Sequence, residues 1–455
     1  MSNTREKLRL KEDHSPTLEI EPSPPQETPR SPEQLRLERL RHACQRIEQE
    51  AAQVLREKYP SSEFPFHNLE HSRQVADDAE DILRLIQEID PALVSDEDII
   101  FVRAEAMRHD IPQDRRQHDE HHDYSPITGS ITRLRGFSPN FIDKEAPIGD
   151  PRIGNEQRAA VLLLEEMAQS PDAEIFDQFD RFDVHMDIGS TYPDVFLNSL
   201  PDSIASEHLR GQTVFTMTQP YAREAGVRGI ALAFADLKGP GGRITNQERP
   251  HDRAFKAGND EYRELYKGHT LQIKEILDKD IKIESISNID KHRLVKSMLS
   301  WKRTQEGFYL GQQHDFEQIL ELNPAINDSE RADEIKDALR KRYDGFQTIA
   351  AGLRQEYLSL TEDIGFVTEG GEPLLDLIAE EERECIIISA NISTFYEKEN
   401  ENTLTSEEQT EMTRLHDAYE GKLQLLEGHK LAFDQKLATL SPANFMKVVR
   451  AMGYE

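Results

Sequence analysis

Cysteine and long apolar runs are scarce in this sequence of 455 residues. Its two cysteines, Cys44 and Cys385, lie far apart and outside any metal-binding spacing, which excludes a disulfide framework and indicates a reducing compartment. No segment approaches the roughly 18 consecutive apolar residues that a membrane span requires, and the first residues contain no apolar signal segment. We therefore expect a cytoplasmic protein without a membrane partner.

Positive charge is scarce as well. Lys and Arg together number 55 against 86 Asp and Glu, and the net charge of −31 repels polyanions at long range. We therefore expect no general binding of nucleic acid. A small phosphate ester remains compatible with this charge, because a bound divalent cation dominates the electrostatic field at its own site.

Strand patterns are nearly absent, whereas apolar residues recur at spacings of three and four over most of the chain. The sequence therefore predicts an all-α fold, with a helical bundle followed by a long-helix C-terminal region. Residues 1–33 hold six of the 23 prolines among Ser, Glu and Thr, a composition typical of a disordered tail. We place a helical domain at 34–255, an amphipathic helical extension at 256–365 and a helical hairpin at 366–455.

Within the extension, two apolar stripes predict two packed helices. The first stripe runs from Leu294 to Ile319, and the second runs from Ile335 to Tyr357. Residues 170–225 instead alternate short segments with Pro, Asp and Gly, and their secondary structure stays unassigned.

Histidine and aspartate stand out on the faces of the predicted helices. His71 lies on the same predicted helix face as the apolar residues that follow it, so we expect it to face the core. His67 lies one helical turn before His71 on that face. His109 and Asp110 end another apolar helix, and Asp236 lies in an almost wholly apolar one, where an unpaired carboxylate would cost several kcal/mol. These side chains predict a mixed nitrogen and oxygen site for a divalent metal ion. Such a site prefers Mn²⁺, Fe²⁺, Co²⁺ or Ni²⁺ over Mg²⁺.

Other polar clusters leave alternatives open. Asp183 and Asp187, beside His185, offer another source of the last carboxylate. The run QHDEHHDY contains three histidines within a polar segment at 112–154, and we interpret it as a solvated loop rather than a second metal cage; they are His118, His121 and His122. Asn155 is predicted to be the N-cap of the helix that follows.

These motifs resemble the HD superfamily of metal-dependent phosphohydrolases, in its bacterial form. FHNLEH at residues 66–71 is similar to the family's YHNxxH form, and the order H…HD…D is similar to its ligand motif. NEQRAA at 155–160 resembles the NEERSA helix of one branch, and AFADLKG at 233–239 resembles the helix with the last aspartate. The resemblance covers roughly residues 45–245.

The resemblance implies a role for each of these residues. One or two divalent ions would be bound by His71, His109, Asp110 and Asp236, with Asp110 able to bridge to a second ion. His67 would be the general acid that protonates the leaving oxygen. Asn68 would bind the substrate phosphate or orient His67, and Glu156 would accept a hydrogen bond from a ligand histidine.

Differences from the family's motifs make some of its substrate classes less compatible with this sequence, but they do not identify the substrate. Gln113 stands where the alarmone hydrolases carry Glu and where the eukaryote-like cyclic-nucleotide branch carries His. The HDIGK and GYP motifs of the cyclic-di-nucleotide branch are absent. Asp110 and Asp236 lie 126 residues apart, a long gap that predicts an insertion at the pocket.

Two functions follow as expectations. The first is a metal-dependent phosphohydrolase or phosphodiesterase that acts on a small nucleotide or another phosphate ester. The alternative is a binding or scaffold protein that holds metal or ligand without turnover. The presence of His67 favours the enzyme, and the long C-terminal helices offer a surface for a homo-oligomer.

Overall fold

The computed structural model describes residues 31–111, 155–192, 194–211, 213–236, 250–279, 281–400 and 403–454. Nearly all of the predicted tail, the polar segment at 112–154 and its three histidines lie outside the described residues. In chain order the helices and strands are α1 (Pro32–Lys58), α2 (Leu69–Ile89), α3 (Asp96–Arg108), α4 (Asn155–Gln169), α5 (Arg181–Gly189), β1 (Asp194–Ser199), β2 (Thr213–Thr218), α6 (Val227–Asp236), α7 (Pro250–Leu265), α8 (Lys267–Asp278), α9 (Asn288–Leu322), α10 (Pro324–Asn327), α11 (Ala332–Arg342), α12 (Phe346–Asp363), α13 (Leu374–Asn400), α14 (Ser406–Ala438) and α15 (Pro442–Ala451).

The predicted all-α class is confirmed, with one small addition. β1 and β2 form a two-stranded antiparallel hairpin in the segment that the sequence left unassigned, with Asp194 paired to Thr218. This hairpin packs closely on α9. A Cβ atom at Gly311 would lie only 2.8 Å from the Cα atom of Thr216, so the close approach of strand and helix requires glycine there.

Side-chain caps set where the helices of the candidate site begin. Asn68 caps α2, because its side-chain oxygen accepts the amide hydrogens of Glu70 and His71. Ser95 and Asp98 form a capping box at the start of α3. The predicted helix that follows Asn155 is α4, and Asn155 is its first residue.

A single hydrophobic core joins α2, α3 and α6 to α9, α11 and α12. Phe234 of α6 packs on Phe316 of α9 with ring centroids 4.7 Å apart, and the Tyr343 hydroxyl donates a hydrogen bond to the Phe234 carbonyl oxygen at 2.8 Å. The core therefore continues across the predicted boundary at residue 255. A second cluster of buried residues lies between α8, α9, α13, α14 and α15.

The second apolar stripe of the extension does not form one helix. α11 ends at Arg342 and α12 begins at Phe346, so the predicted helix over 335–357 is wrong. Asp344 and Gly345 lie at the break, and both have low helix propensity. The stripe continues through the break because α11 and α12 bury their apolar faces in the same core.

Among the described residues, no helix combines the length and apolar content needed to cross a membrane.

Candidate metal centre

The ends of three helices bring the predicted ligands together. His71 lies in the first turn of α2, His109 and Asp110 directly follow α3, and Asp236 is the last residue of α6. One ligand atom from each of His71, His109 and Asp110 lies within 4.8 Å of the others. The Oδ1 atom of Asp236 is 3.1 Å from His71 Nε2 and 3.6 Å from His109 Nε2. We call these four residues the histidine cluster.

The two imidazoles of the histidine cluster present the same ring nitrogen to the carboxylates. Asp110 Oδ2 lies 3.2 Å from His71 Nε2 and 3.1 Å from His109 Nε2. His109 Nδ1 donates to the Ala106 carbonyl oxygen at 2.6 Å, so a neutral His109 carries its lone pair on Nε2. Both Nε2 atoms are buried, and neither has a hydrogen bond of acceptable geometry within the described residues. The arrangement thus holds two imidazole nitrogens, which could bind a metal ion, close to two carboxylates.

The pKa shifts show that this cluster attracts positive charge. Burial lowers the pKa of His109, but the carboxylates of Asp110 and Asp236 act in the opposite direction and bring it well above its ordinary value. Burial raises the pKa of Asp236, and its pairing with His109 and His71 outweighs this effect and brings the pKa below its ordinary value. A proton or another cation is therefore favoured between these nitrogens and oxygens.

His67 lies beside the histidine cluster, but α2 does not contain it. The sequence placed His67 and His71 one turn apart on one helix, and this is wrong, because Asn68 is the N-cap and α2 begins at Leu69. The ring centroids of His67 and His71 are 6.1 Å apart. His67 is therefore held by the loop that precedes α2.

Glu264, at the end of α7, fixes this loop and the ring of His67. Its Oε1 atom is 2.8 Å from His67 Nδ1, and its Oε2 atom accepts the amide hydrogens of Phe66 and His67, each at 3.1 Å. Burial raises the pKa of Glu264, but the charge of His67 and these hydrogen bonds lower it below its ordinary value. Sequence reasoning missed Glu264, which lies 197 residues from His67 and carries no local motif.

The side-chain oxygen and amide of Asn68 both form hydrogen bonds with the backbone around the start of α2. Its oxygen accepts from Glu70 N at 2.9 Å and from His71 N at 3.2 Å, and its amide donates to the carbonyl oxygens of Phe64 and Pro65. Asn offers two donors and one acceptor oxygen, so all of these groups are engaged. The substrate-binding role of Asn68 stays a prediction, and it would require one of these bonds to break.

Glu156 lies in the first turn of α4, near the histidine cluster. Burial raises its pKa to about 7, and the neighbouring charge of Asp110 acts in the same direction. The predicted hydrogen bond from a ligand histidine is not made with His109, whose Nδ1 donates to Ala106 instead.

The open alternative for the last carboxylate is resolved by position. Asp187 Oδ2 lies 2.6 Å from the Arg228 guanidinium, and Asp183 is exposed on α5. Of the three candidate aspartates, Asp236 is the one whose carboxylate lies against both histidines, as that of Asp110 does.

Comparisons of this chain with protein families, with curated proteins and with solved structures give no match in any of the three. The resemblance to the HD superfamily therefore depends on the local motifs and on the residues that the fold brings together.

Proposed function

We propose that this protein is a metal-dependent hydrolase of small phosphate esters, either a phosphohydrolase or a phosphodiesterase. The observation that supports this most is the convergence of two buried imidazole Nε2 atoms on the carboxylates of Asp110 and Asp236. The same motif order in the sequence led us to expect this set of ligands.

The histidine cluster fits a divalent transition metal. Imidazole nitrogen and carboxylate oxygen together suit Mn²⁺, Fe²⁺, Co²⁺ and Ni²⁺, and Mg²⁺ is less well matched. Ala106 orients the His109 ring through Nδ1, which is how ligating histidines are usually fixed. A bound ion would polarise a phosphoryl oxygen and lower the pKa of a bound water toward neutrality.

His67 is proposed to protonate the leaving oxygen of the substrate. Its Nδ1 faces Glu264, so proton transfer to the substrate would go through Nε2. Glu264 accepts at Nδ1, so the ring is oriented with Nε2 as the nitrogen that would carry the proton that a general acid donates. Glu264 also holds the two backbone amides of the loop, so the ring and its backbone are oriented together.

Elemental analysis and an activity screen test this proposal. Protein purified without chelators should contain a stoichiometric transition metal, and His109→Ala or Asp110→Ala should remove it. His292→Ala is the matched control, since His292 is exposed and pairs with Asp434. The wild-type protein should hydrolyse members of a phosphate-ester panel in the presence of Mn²⁺, Mg²⁺, Ni²⁺ or Co²⁺.

The screen also separates the two expected functions. Metal bound without turnover of any ester would favour the binding or scaffold protein. A protein without metal, or with metal that neither variant removes, would contradict the proposed site.

A further inference from the structure

α7 contributes a side chain to His67 through Glu264 at its end. Consecutive residues of a helix point about 100° apart, whereas residues four apart share a face. Asn259 and Arg263 therefore lie on one face of α7, and Glu264 projects from a different one. Because a helix moves as a rigid unit, contacts made by the face with Asn259 and Arg263 also set the position of Glu264.

That face binds the end of α15 and the residues after it. Asn259 Nδ2 donates to the Ala451 carbonyl oxygen at 3.3 Å, and Arg263 Nη1 donates to the Gly453 carbonyl oxygen at 3.0 Å. Gly453 has a φ of +75°, a conformation that turns the chain back toward α7 and favours glycine. The Arg263 guanidinium also lies 5.8 Å from the ring centroid of Tyr454. We call residues 451–454 the clamp segment.

Two side chains of the clamp segment are buried, and one of them is anchored by a hydrogen bond. Tyr454 is 4% exposed, and its hydroxyl is 2.7 Å from Thr270 Oγ1 of α8. Met452 is fully buried. The contacts with α7 are thus part of a packed interface and do not depend on exposed side chains alone.

α9 holds α7 from a second side. Trp301 Nε1 donates to the Gly258 carbonyl oxygen at 2.9 Å, and Lys302 Nζ donates to Asn259 Oδ1 at 2.7 Å. Asn259 therefore joins α9 to the clamp segment, with its oxygen toward one and its amide toward the other. Lys302 Nζ also lies 3.2 Å from the ring centroid of Phe255, which adds a cation–π contact between α9 and α7.

We propose that the clamp segment and α9 fix α7 so that Glu264 meets His67, which makes Asn259, Arg263 and Tyr454 positioning residues of the candidate site. The helices after residue 255 then complete the site and are not an accessory module. The catalytic consequence rests on the proposed function, whereas the positioning of Glu264 does not.

Hydrogen exchange of the full chain tests the positioning directly. The amide hydrogens of Phe66 and His67 are bound to Glu264, so mass spectrometry of peptides over residues 64–68 reports whether Glu264 is in place. Arg263→Met should speed this exchange roughly three- to tenfold, the change expected from one weakened hydrogen bond. Tyr454→Phe should act in the same direction and more weakly, and Glu264→Ala sets the upper limit.

Arg414→Met is the matched control, because Arg414 is exposed on α14 and pairs with Glu411 of the same helix. It should leave exchange at 64–68 unchanged. Exchange within about twofold of wild type in both Arg263→Met and Tyr454→Phe would overturn the proposal. An unchanged rate in Glu264→Ala would overturn it too, because the bond that it requires would not exist.

Turnover gives a second, separate readout. Arg263→Met should lower kcat about tenfold with little change in KM, and the loss should shrink for nitrophenyl esters, whose leaving groups need little protonation. An equal loss for good and poor leaving groups would contradict a role through His67. If wild-type protein hydrolyses no ester, the proposed function fails while the exchange experiment still tests the clamp.

Discussion

Two buried polar clusters share the helices α3 and α6, and their carboxylates are neutralised in different ways. The histidine cluster lies at the C-terminal ends of these two helices and also includes His71 of α2. The second, which we call the arginine cluster, consists of Asp98 and Glu105 of α3, Asp187 of α5 and Arg228 of α6.

The arginine cluster contains its own permanent cation. The Arg228 guanidinium contacts Asp98 at 2.7 Å, Glu105 at 3.2 Å and Asp187 at 2.6 Å. Burial raises the pKa of Glu105 well above its ordinary value, and the neighbouring charge of Asp187 adds to this although Arg228 opposes it. The Arg228 guanidinium is thus the permanent countercharge of three carboxylates, and burial favours the neutral form of Glu105.

The histidine cluster has no such cation for Asp236. Within the described part of the chain, Asp236 pairs with two imidazoles and with no lysine or arginine. A guanidinium is always charged, whereas an imidazole is a cation only when it is protonated. The carboxylates of the arginine cluster therefore have a permanent cation, whereas Asp236 depends on protonated imidazoles or, in our proposal, on a metal ion.

The largest expected effect comes from removing one carboxylate from each cluster. Asp236→Asn should abolish metal binding and lower turnover at least about 10⁴-fold, because a ligand is lost and the Lewis acid leaves with it. Asp98→Asn, in the arginine cluster, is the matched control and should keep both. Metal analysis and kcat measure the pair, and metal retained by Asp236→Asn would mean that another residue supplies the last carboxylate.

A smaller effect should separate His67 from the ligands. His67→Ala should lower turnover about 10²- to 10⁴-fold while the metal stays bound, the usual contribution of a positioned general acid. His71→Ala should lose both metal and turnover. An empty site in His67→Ala would instead make both histidines of FHNLEH ligands and would place the acid elsewhere.

Removing the cation of the arginine cluster should affect stability instead of activity. Arg228→Met should lower the free energy of unfolding by about 3–5 kcal/mol, because buried carboxylates lose their partner. Arg331→Met is the control at an exposed pair with Glu334 and should leave the free energy of unfolding nearly unchanged. Urea denaturation measures the free energy of unfolding of both variants. An equal decrease in the two would show that the arginine cluster stabilises the fold no more than an exposed ion pair does.

The smallest effect is a change in how stability depends on pH. Because the folded pKa of Glu105 lies above its unfolded value, folding binds a proton, and the stability from Glu105 falls as pH rises from the unfolded pKa toward the folded one. Glu105→Gln cannot ionise, so its unfolding free energy should fall less between about pH 5 and pH 8, by on the order of 1 kcal/mol. If the unfolding free energies of wild type and Glu105→Gln change with pH in the same way, the pKa of Glu105 is not raised by folding.

The spacing of apolar and polar residues along the sequence was sufficient to predict most helices and the types of residue that could bind a metal. The apolar stripe after His71 predicted that this residue faces the core, and the end of α3 was predicted to carry His109 and Asp110. Such signals come from neighbours within one or two turns, where helix geometry relates sequence distance directly to direction in space. The same reasoning failed at His67, because Asn68 is the N-cap and α2 begins only after it. It also failed at 343–345, where two helices share one apolar stripe.

By itself, the sequence determined that the chain is helical, which faces are apolar, and which side chains are chemically suited to bind a metal. Only the tertiary structure decided that Asp236 and not Asp187 meets the histidines, and that Glu264 meets His67. In the sequence, Asp187 and Asp236 both have apolar neighbours. They differ only in the folded chain, where Arg228 lies beside Asp187. The reason is physical: periodicity encodes the direction of a side chain from its own helix, whereas its partner is set by how distant helices pack, and here that packing places α7 between the clamp segment and the loop of His67.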